Sequence, residues 1–293
     1  EVDMKVTLAK TAGFCFGVQR AVDTVYRVLE EEKKKPVEKR CPIFTYGPIV
    51  HNETVIQKLR AEGVQVLESE EELSALTEGI VIIRAHGIPR RIYELLKEKK
   101  VATVDASCPF VQKIQRLAEQ HTRAGERVFV TGNPEHPEVI GIMGWAEGRI
   151  SALPDIESAE NLPDGEGAHV VVVSQTTFNI DKFKVMIDIL KKKHYYVNAI
   201  NTICNATFER QSEAKELAKQ SDAMIVIGGR SSSNTKKLFE ICKDQCTNTQ
   251  LIQTVRDLNF VQDEAVQNVG ITAGASTPKE IIEEVQNYVR DEF

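Results

Sequence analysis

Short apolar runs alternate along the chain with longer stretches in which apolar residues recur every three or four positions. Continuous apolar runs are typical of strands in parallel sheets that are covered on both faces. After Cys15, apolar side chains from Val18 to Leu29 follow the spacing of one helix face. The alternation predicts an α/β fold. The runs that predict strands are Met4–Leu8, Ile80–Ile83, Val101–Val104, Val128–Val130, Val170–Val173, Ile225–Ile227 and Val269–Ile271.

Three cysteines recur at nearly equal intervals, each at the start of a helical pattern. Cys15, Cys108 and Cys204 are 93 and 96 residues apart. A strand that ends in glycine follows each cysteine by 24 to 32 residues. A repeat of this length indicates copies of one structural unit. The glycines are Gly47, Gly132 and Gly228.

Polar side chains follow the strands of each copy. Four residues past the glycines lie His51, His136 and Ser232. A further strand in each copy leads to His86, to Thr176 and Thr177, and to Ser276. Because sites in parallel sheets form at the carboxyl ends of the strands, we expect the cysteines and these polar groups to meet at one site.

The repeat predicts three similar αβα domains with mainly parallel sheets, arranged with pseudo-threefold symmetry around that site. We expect domains at 14–103, 104–199 and 200–293. The predicted strand at 4–9 precedes Cys15 as another strand precedes Cys108. We therefore expect it to complete the sheet of the third domain.

Three thiolates at one point would hold a metal centre with one open position. The helix starts behind the cysteines would favour the thiolate form. An iron–sulfur cluster with one iron free of cysteine could bind a substrate oxygen as a Lewis acid and also pass electrons to it. Zinc held by three thiolates is equally compatible with the spacing.

The remaining polar groups indicate an anionic ligand. The histidines at 51, 86 and 136 are joined by hydroxyls and an amide from Thr176, Ser232, Ser233, Asn234 and Ser276. Glycine-rich turns add backbone N–H groups that can hold a phosphate or diphosphate. The sequence has neither a P-loop nor a GxGxxG pattern, which disfavours nucleotide hydrolysis and dinucleotide binding.

One carboxylate stands out as a proton donor. Glu138 lies two residues beyond His136 and could reach the same cavity, whereas Glu135 lies on the outer side of that histidine. A carboxylic acid beside a reducible centre can supply protons. A glutamate in the first turn of a helix is also favoured by the helix dipole, so both interpretations stay open.

Composition and charge narrow the class of protein. The 293 residues are 42% hydrophobic and carry a net charge of −6, without a long basic block, which disfavours nucleic acid as the main partner. No apolar run is long enough for a membrane helix, and no export pattern is present, so we expect a cytoplasmic protein. The remaining cysteines, Cys41, Cys242 and Cys246, fit no repeat, and the last two are expected at ordinary helix positions.

The chain resembles the 4-hydroxy-3-methylbut-2-enyl diphosphate reductase family, the iron–sulfur reductases that end the non-mevalonate isoprenoid pathway. The matching stretches run through the chain in the order of the family. They are Gly13–Val18, Val50–Asn52, Arg84–Gly87, Asp105–Pro109, His136–Val139, Gln175–Thr177, Ile203–Thr207, Ser232–Asn234 and Thr272–Ser276.

The resemblance implies roles for these residues. Cys15, Cys108 and Cys204 would bind a [4Fe–4S] cluster, and Glu138 would deliver protons, with Thr176 positioning the substrate hydroxyl or relaying a proton. Thr177 could share that role. Ferredoxin or flavodoxin would supply the electrons. The diphosphate would contact His51, His86, His136, Ser232, Ser233, Asn234 and Ser276.

Two other classes use the same features differently. A dehydratase or a quinolinate-synthase-like lyase would use the open iron as a Lewis acid without net reduction, and would turn over without an electron donor. A redox or iron sensor would report loss of the cluster to a macromolecular partner. The sensor would leave Glu138 and the Ser232–Asn234 turn without a role.

Overall fold

Strands and helices alternate along the chain in the computed structural model, which describes residues 4–99, 101–259 and 266–292. Before Cys108 come β1 (Lys5–Leu8), α1 (Phe16–Lys33), β2 (Ile43–Tyr46), α2 (Glu53–Ala61), β3 (Val64–Leu67), α3 (Glu70–Ala75), β4 (Ile80–Ile83), α4 (Arg90–Lys99) and β5 (Ala102–Asp105). Between Cys108 and Cys204 come α5 (Pro109–Arg123), β6 (Arg127–Thr131), α6 (Pro137–Met143), β7 (Ile150–Leu153), α7 (Ile156–Glu160), β8 (His169–Ser174), α8 (Ile180–Lys192) and β9 (Tyr196–Ala199). After Cys204 come α9 (Asn205–Lys219), β10 (Ala223–Ile227), α10 (Ser233–Gln245), β11 (Thr249–Ile252), β12 (Asn268–Ala273) and α11 (Lys279–Glu292). Single 3₁₀ turns lie at Val37–Lys39 and Val255–Asp257.

The strands form three parallel sheets with one strand order. The sheets read β3-β2-β4-β5, β7-β6-β8-β9 and β11-β10-β12-β1. In each sheet the first strand after the cysteine helix pairs with the two strands that follow it, and a fourth strand closes one edge. In the last sheet that edge is β1, which pairs with β12 from Lys5 opposite Asn268 to Leu8 opposite Ile271. The α/β prediction with parallel sheets is confirmed.

By packing, the described residues belong to two compact units. One takes the described residues of 1–19, 51–57 and 205–293 and contains the sheet with β1. The other takes 20–50 and the described residues of 58–204 and contains the other two sheets. The three domain boundaries given above stay a prediction. Every described helix is too short or too polar to cross a membrane.

The central strands are the most apolar and the most buried. All five residues of β10 are buried, as are all but the first residue of β6, β8 and β12. Strand β8 carries four consecutive valines, and its apolar side chains pack on α8 through Phe183, Met186 and Leu190. Burial on both faces explains why these strands read as unbroken apolar runs.

The apolar runs in the sequence did not predict four of the strands. They are β3, β7, β9 and β11, each at the edge of its sheet with one neighbouring strand. Each has at most two buried residues of four, and β9 has three exposed residues. Polar residues interrupt all four strands, so none has an unbroken apolar run. The edge strands β1 and β5 kept enough apolar residues to be predicted.

We expect Phe129→Ala to lower the free energy of unfolding by about 3–5 kcal/mol, because the ring leaves a cavity in a close-packed core. Phe129 is fully buried between β7, β8 and α8, with Tyr195 against its ring. Urea unfolding measures the loss. The control is Val185→Ala on α8, where the valine is 43% exposed. It should lower the free energy of unfolding far less. Equal losses would contradict this account of the core.

Candidate active site

The three repeat cysteines have the same local structure. Each directly precedes a helix: Cys15 precedes α1, Cys108 is the N-cap of α5 and Cys204 precedes α9. All three are half-buried. Each backbone N–H donates to a carbonyl in the loop that follows the third strand of a sheet. The bonds are Cys15 N to Ala275 O at 3.1 Å, Cys108 N to Ala85 O at 2.9 Å and Cys204 N to Thr176 O at 3.0 Å.

These bonds align the repeats residue by residue. Ala85, Thr176 and Ala275 occupy one equivalent position, so Thr176 alone adds a hydroxyl there. Thiols are soft donors of the kind that an iron–sulfur cluster or zinc requires. The positive end of a helix dipole stabilises negative charge placed there. Each repeat therefore offers one thiol, at a helix start, that is suited to bind a metal.

Glu138 and Thr176 form a buried hydrogen-bonded pair. The backbone N–H of Thr176 donates to Oε1 of Glu138 at 2.6 Å, and its Oγ1 donates to Oε2 at 2.8 Å. Glu138 is only 1% exposed. The carbonyl of Thr176 accepts the Cys204 N–H, so one residue links the carboxyl group to a cysteine. A carboxyl group held at both oxygens has a fixed orientation for proton transfer.

In the third repeat, the amide side chain of Asn234 makes a hydrogen bond equivalent to that of Glu138. Asn234 lies two residues past Ser232, as Glu138 lies two residues past His136. Its Oδ1 accepts the N–H of Ala275 at 3.0 Å, the position equivalent to Thr176. Its Nδ2 is buried and has no hydrogen-bond partner among the described residues. A buried donor without a partner is costly, and an anionic ligand would satisfy it.

His86 and His136 lie edge to face, with their ring centroids 5.3 Å apart. His136 is the N-cap of α6, and its Nδ1 accepts the N–H of Glu138 at 3.1 Å. In the neutral imidazole this places the proton on Nε2, which is then a donor. The pair thus presents a donor of the kind that binds phosphate oxygens.

The remaining predicted polar residues lie at equivalent strand ends. Ser276 donates from Oγ to the His51 carbonyl at 3.0 Å. Ser232 is the N-cap of α10, where its Oγ accepts the Thr235 N–H at 3.3 Å, and Ser233 is the first residue of that helix. An added Cβ at Gly229 would lie 2.7 Å from the His51 carbonyl oxygen, so that approach requires glycine. Ser232 and Ser276 are buried, and His51 is half-buried.

The sequence analysis assigned no role to several charged residues near the strand ends. Arg84 is partly buried, and its burial lowers the pKa of a guanidinium that nonetheless stays charged. An added Cβ at Gly47, whose φ is +69°, would lie 2.0 Å from Arg84 Nη1. Arg20, Arg210 and Glu213 bind the loops before two of the cysteines. Isolated charged residues on helices carry no pattern that would reveal such contacts.

The cysteines outside the repeat are unlike the other three. Cys41 is exposed, whereas Cys242 and Cys246 pack in the apolar cluster between α9, β10 and α10. Burial raises the pKa of Cys242 to about 12, so its thiol stays protonated. A protonated thiol is a poor metal ligand. Cys242 and Cys246 therefore occupy ordinary core positions.

Fold and site define a parallel α/β protein of three like sheets, with a half-buried cysteine at a helix start in every repeat. The sequence model of the LytB protein family matches residues 6–290. The chain belongs to the LytB family.

Curated relatives match over nearly their full length. The 4-hydroxy-3-methylbut-2-enyl diphosphate reductase of Caldanaerobacter subterraneus subsp. tengcongensis is 43% identical over 283 residues, which are 96% of this chain and 95% of that protein. A protein of the same name from Geotalea uraniireducens is 42% identical over 282 residues, again 96% and 95% of the two chains.

Two solved structures share the fold. The E-1-hydroxy-2-methyl-but-2-enyl-4-diphosphate reductase of Plasmodium falciparum matches with a TM-score of 0.90 and 30% identity, over 99% of this chain and 89% of that one. A second structure, described as the terminal enzyme of the non-mevalonate pathway, matches with a TM-score of 0.68 and 37% identity. That match covers 98% of this chain and 99% of the other.

We expect iodoacetamide to label Cys41 readily and Cys242 hardly at all in the folded protein at pH 8. With a pKa of about 12, the thiolate fraction of Cys242 is on the order of 10⁻⁴ at that pH, and its side chain is buried. Peptide mass spectrometry gives the rate at each residue. The control is the same protein in denaturant, where all six cysteines should react. Equal native rates at the two residues would reject the buried thiol.

Proposed function

We propose that this chain catalyses the reductive dehydroxylation of (E)-4-hydroxy-3-methylbut-2-enyl diphosphate to isopentenyl and dimethylallyl diphosphate. Two electrons and two protons enter, the carbon–oxygen bond of the hydroxyl breaks, and water leaves. The observation that carries the proposal is the buried Glu138–Thr176 pair tied through Thr176 to Cys204. Relatives about 40% identical over nearly the whole chain, all named as this reductase, support it.

Cys15, Cys108 and Cys204 would hold the cofactor, a [4Fe–4S] cluster. Support comes from their equivalent places at helix starts and from the backbone hydrogen bond that each of them makes. When bound, the cluster supplies the electrons and an iron without a cysteine ligand, which acts as a Lewis acid. The chain's own part is to fix the three thiols through the backbone bonds that each cysteine N–H makes.

The diphosphate would be bound by side-chain hydrogen-bond donors. His136 offers Nε2–H, and His86 lies against its ring. Asn234 offers a buried Nδ2–H. Such donors bind an anion by aligned hydrogen bonds. His51, Ser232, Ser233 and Ser276 complete the proposed set.

Glu138 would carry the proton for the departing hydroxyl. Both of its oxygens accept from Thr176, which fixes the carboxyl plane. The Thr176 hydroxyl donates to that carboxylate and can in turn accept a hydrogen bond. It would therefore orient the substrate hydroxyl or relay a proton. In the other two repeats an alanine occupies its position.

The electrons would come from a small protein carrier, ferredoxin or flavodoxin, because the sequence contains no nicotinamide or flavin pattern. Cysteines that serve as cluster ligands require a reducing compartment, so we assign the protein to the cytoplasm.

The function is tested by anaerobic turnover of the iron-loaded protein with a reduced low-potential donor and 4-hydroxy-3-methylbut-2-enyl diphosphate. We expect donor oxidation and formation of both isopentenyl and dimethylallyl diphosphate, because the reaction consumes two electrons per molecule. Omission of the donor is the control. If the same amount of product forms without the donor, the protein is a lyase. If iron-loaded protein shows no turnover at all, the sensor is the remaining class.

We expect Glu138→Gln to bind substrate but to lose turnover by about 10²–10⁴-fold, the usual contribution of a general acid. Glutamine keeps the size and one acceptor for Thr176 but cannot release a proton. Single-turnover assays and substrate binding separate the two effects. The matched control is Glu135→Gln, which changes an exposed carboxylate three residues away and should leave turnover unchanged. Near-normal turnover of Glu138→Gln would reject the role.

A further inference from the structure

We propose that Arg210 and Arg20 are positioning residues that each fix the loop before one particular cysteine, Arg210 for Cys15 and Arg20 for Cys108. The inference rests on the proposed function, in which those cysteines are cluster ligands. It adds two residues, of helices α9 and α1, whose guanidinium groups donate to backbone carbonyls ahead of those cysteines.

Arg210 binds the backbone on the approach to Cys15. Its Nε and Nη2 donate to the Thr11 carbonyl at 2.9 and 2.5 Å, and Nη2 also donates to the Gly13 carbonyl at 2.7 Å. Arg210 is 4% exposed, and Gly13 has φ +99°. A planar guanidinium in this geometry holds two carbonyls at a fixed separation, two residues ahead of the thiol.

Glu213, one helical turn further along α9, binds the same loop from its N–H side. Its carboxylate accepts from the Lys10 N–H at 2.8 Å, from the Thr11 N–H at 2.9 Å and from Thr11 Oγ1 at 2.6 Å. The hydrogen bonds from Thr11 and Lys10 hold the pKa of Glu213 below its usual value despite partial burial. Arg210 binds carbonyl groups of the loop, and Glu213 binds its N–H groups. Helix α9 therefore holds the loop through both kinds of backbone group.

Arg20 binds the backbone ahead of Cys108 in the same way. Its Nη1 donates to the Ser107 carbonyl at 2.7 Å, and Nη2 lies 3.4 Å from the Asp105 carbonyl. The Asp105 carboxylate in turn accepts the N–H and the Oγ–H of Ser107. The residue before the cysteine is therefore held at its carbonyl, its amide and its side chain.

The two arginines lie at nearly equivalent places, five residues after Cys15 and six after Cys204. The loop before Cys204 is held differently. There the Thr202 hydroxyl donates to the Ser174 carbonyl at 2.7 Å and accepts the Ser174 N–H at 2.7 Å. Loss of one arginine should therefore loosen one cysteine rather than all three.

The test measures the alkylation rate at each repeat cysteine by peptide mass spectrometry in the full-length protein freed of iron. Arg210→Lys keeps the positive charge, but one ammonium cannot bridge two carbonyls. We expect it to raise the rate at Cys15 about fivefold or more through local opening, with Cys108 and Cys204 changed less than about twofold. Arg20→Lys should raise the rate at Cys108 and spare Cys15.

The control is Arg90→Lys, which weakens ion pairs with Glu119 and Glu147 away from the cysteine loops and should leave all three rates unchanged. Circular dichroism checks that every variant is folded. The inference is overturned if either variant changes all three cysteines alike, which is global destabilisation, or changes none. If Arg210→Lys fails to fold, Glu213→Gln tests the Cys15 loop in the same assay.

Iron-loaded protein supplies the second readout. We expect a chelator to remove iron faster from both arginine variants than from the unmodified chain or from Arg90→Lys. If the unmodified chain binds no iron, the proposed function fails, while the pattern of alkylation still decides the positioning role. If it binds iron and the variants release it at the unmodified rate with uniform alkylation, the positioning role is wrong and the function stands.

Discussion

One hydrogen bond, made three times, places the repeat cysteines: the N–H of each donates to a carbonyl in the loop after the third strand of a sheet. Parallel strands bring all such loops to the same end of a sheet. Because both backbone groups are partly buried, leaving them unpaired would cost free energy. The bond therefore fixes where each helix begins, and with it the place of each thiol at a positive helix end.

The chemistry depends on where the repeats differ. Thr176 corresponds to two alanines and adds the hydroxyl that binds Glu138. Glu138 corresponds to Asn234, which makes the same bond to the backbone but brings an amide donor in place of an acid. One repeat is thereby suited to proton transfer and another to anion binding. In the proposed function, the equivalent positions of the three repeats would supply the cluster ligands, and these two differences would supply the acid and the amide donor.

Net charge says little about such a site. The chain carries a net charge of −6, yet the proposal places a diphosphate on histidine, serine and asparagine side chains. The cationic side chains Arg20, Arg84 and Arg210 bind backbone carbonyls. Placement of a few partly buried groups outweighs the surface charge, because solvent and salt screen exposed charges far more strongly than buried ones.

The sequence by itself determined the α/β class of the fold and the order in which the predicted site residues occur along the chain. Unbroken apolar runs revealed the strands that are buried on both faces, and the cysteine spacing revealed the repeat and the helix starts behind Cys15, Cys108 and Cys204. It missed β3, β7, β9 and β11, because polar residues interrupt these short edge strands and leave no unbroken apolar run. Only the tertiary structure decided that Thr176 binds Glu138, and that Arg210 and Arg20 reach loops about 199 and 87 residues away. Such pairings depend on which side chains the packed sheets bring within hydrogen-bond distance, and a local pattern carries no information about partners so far apart in the chain.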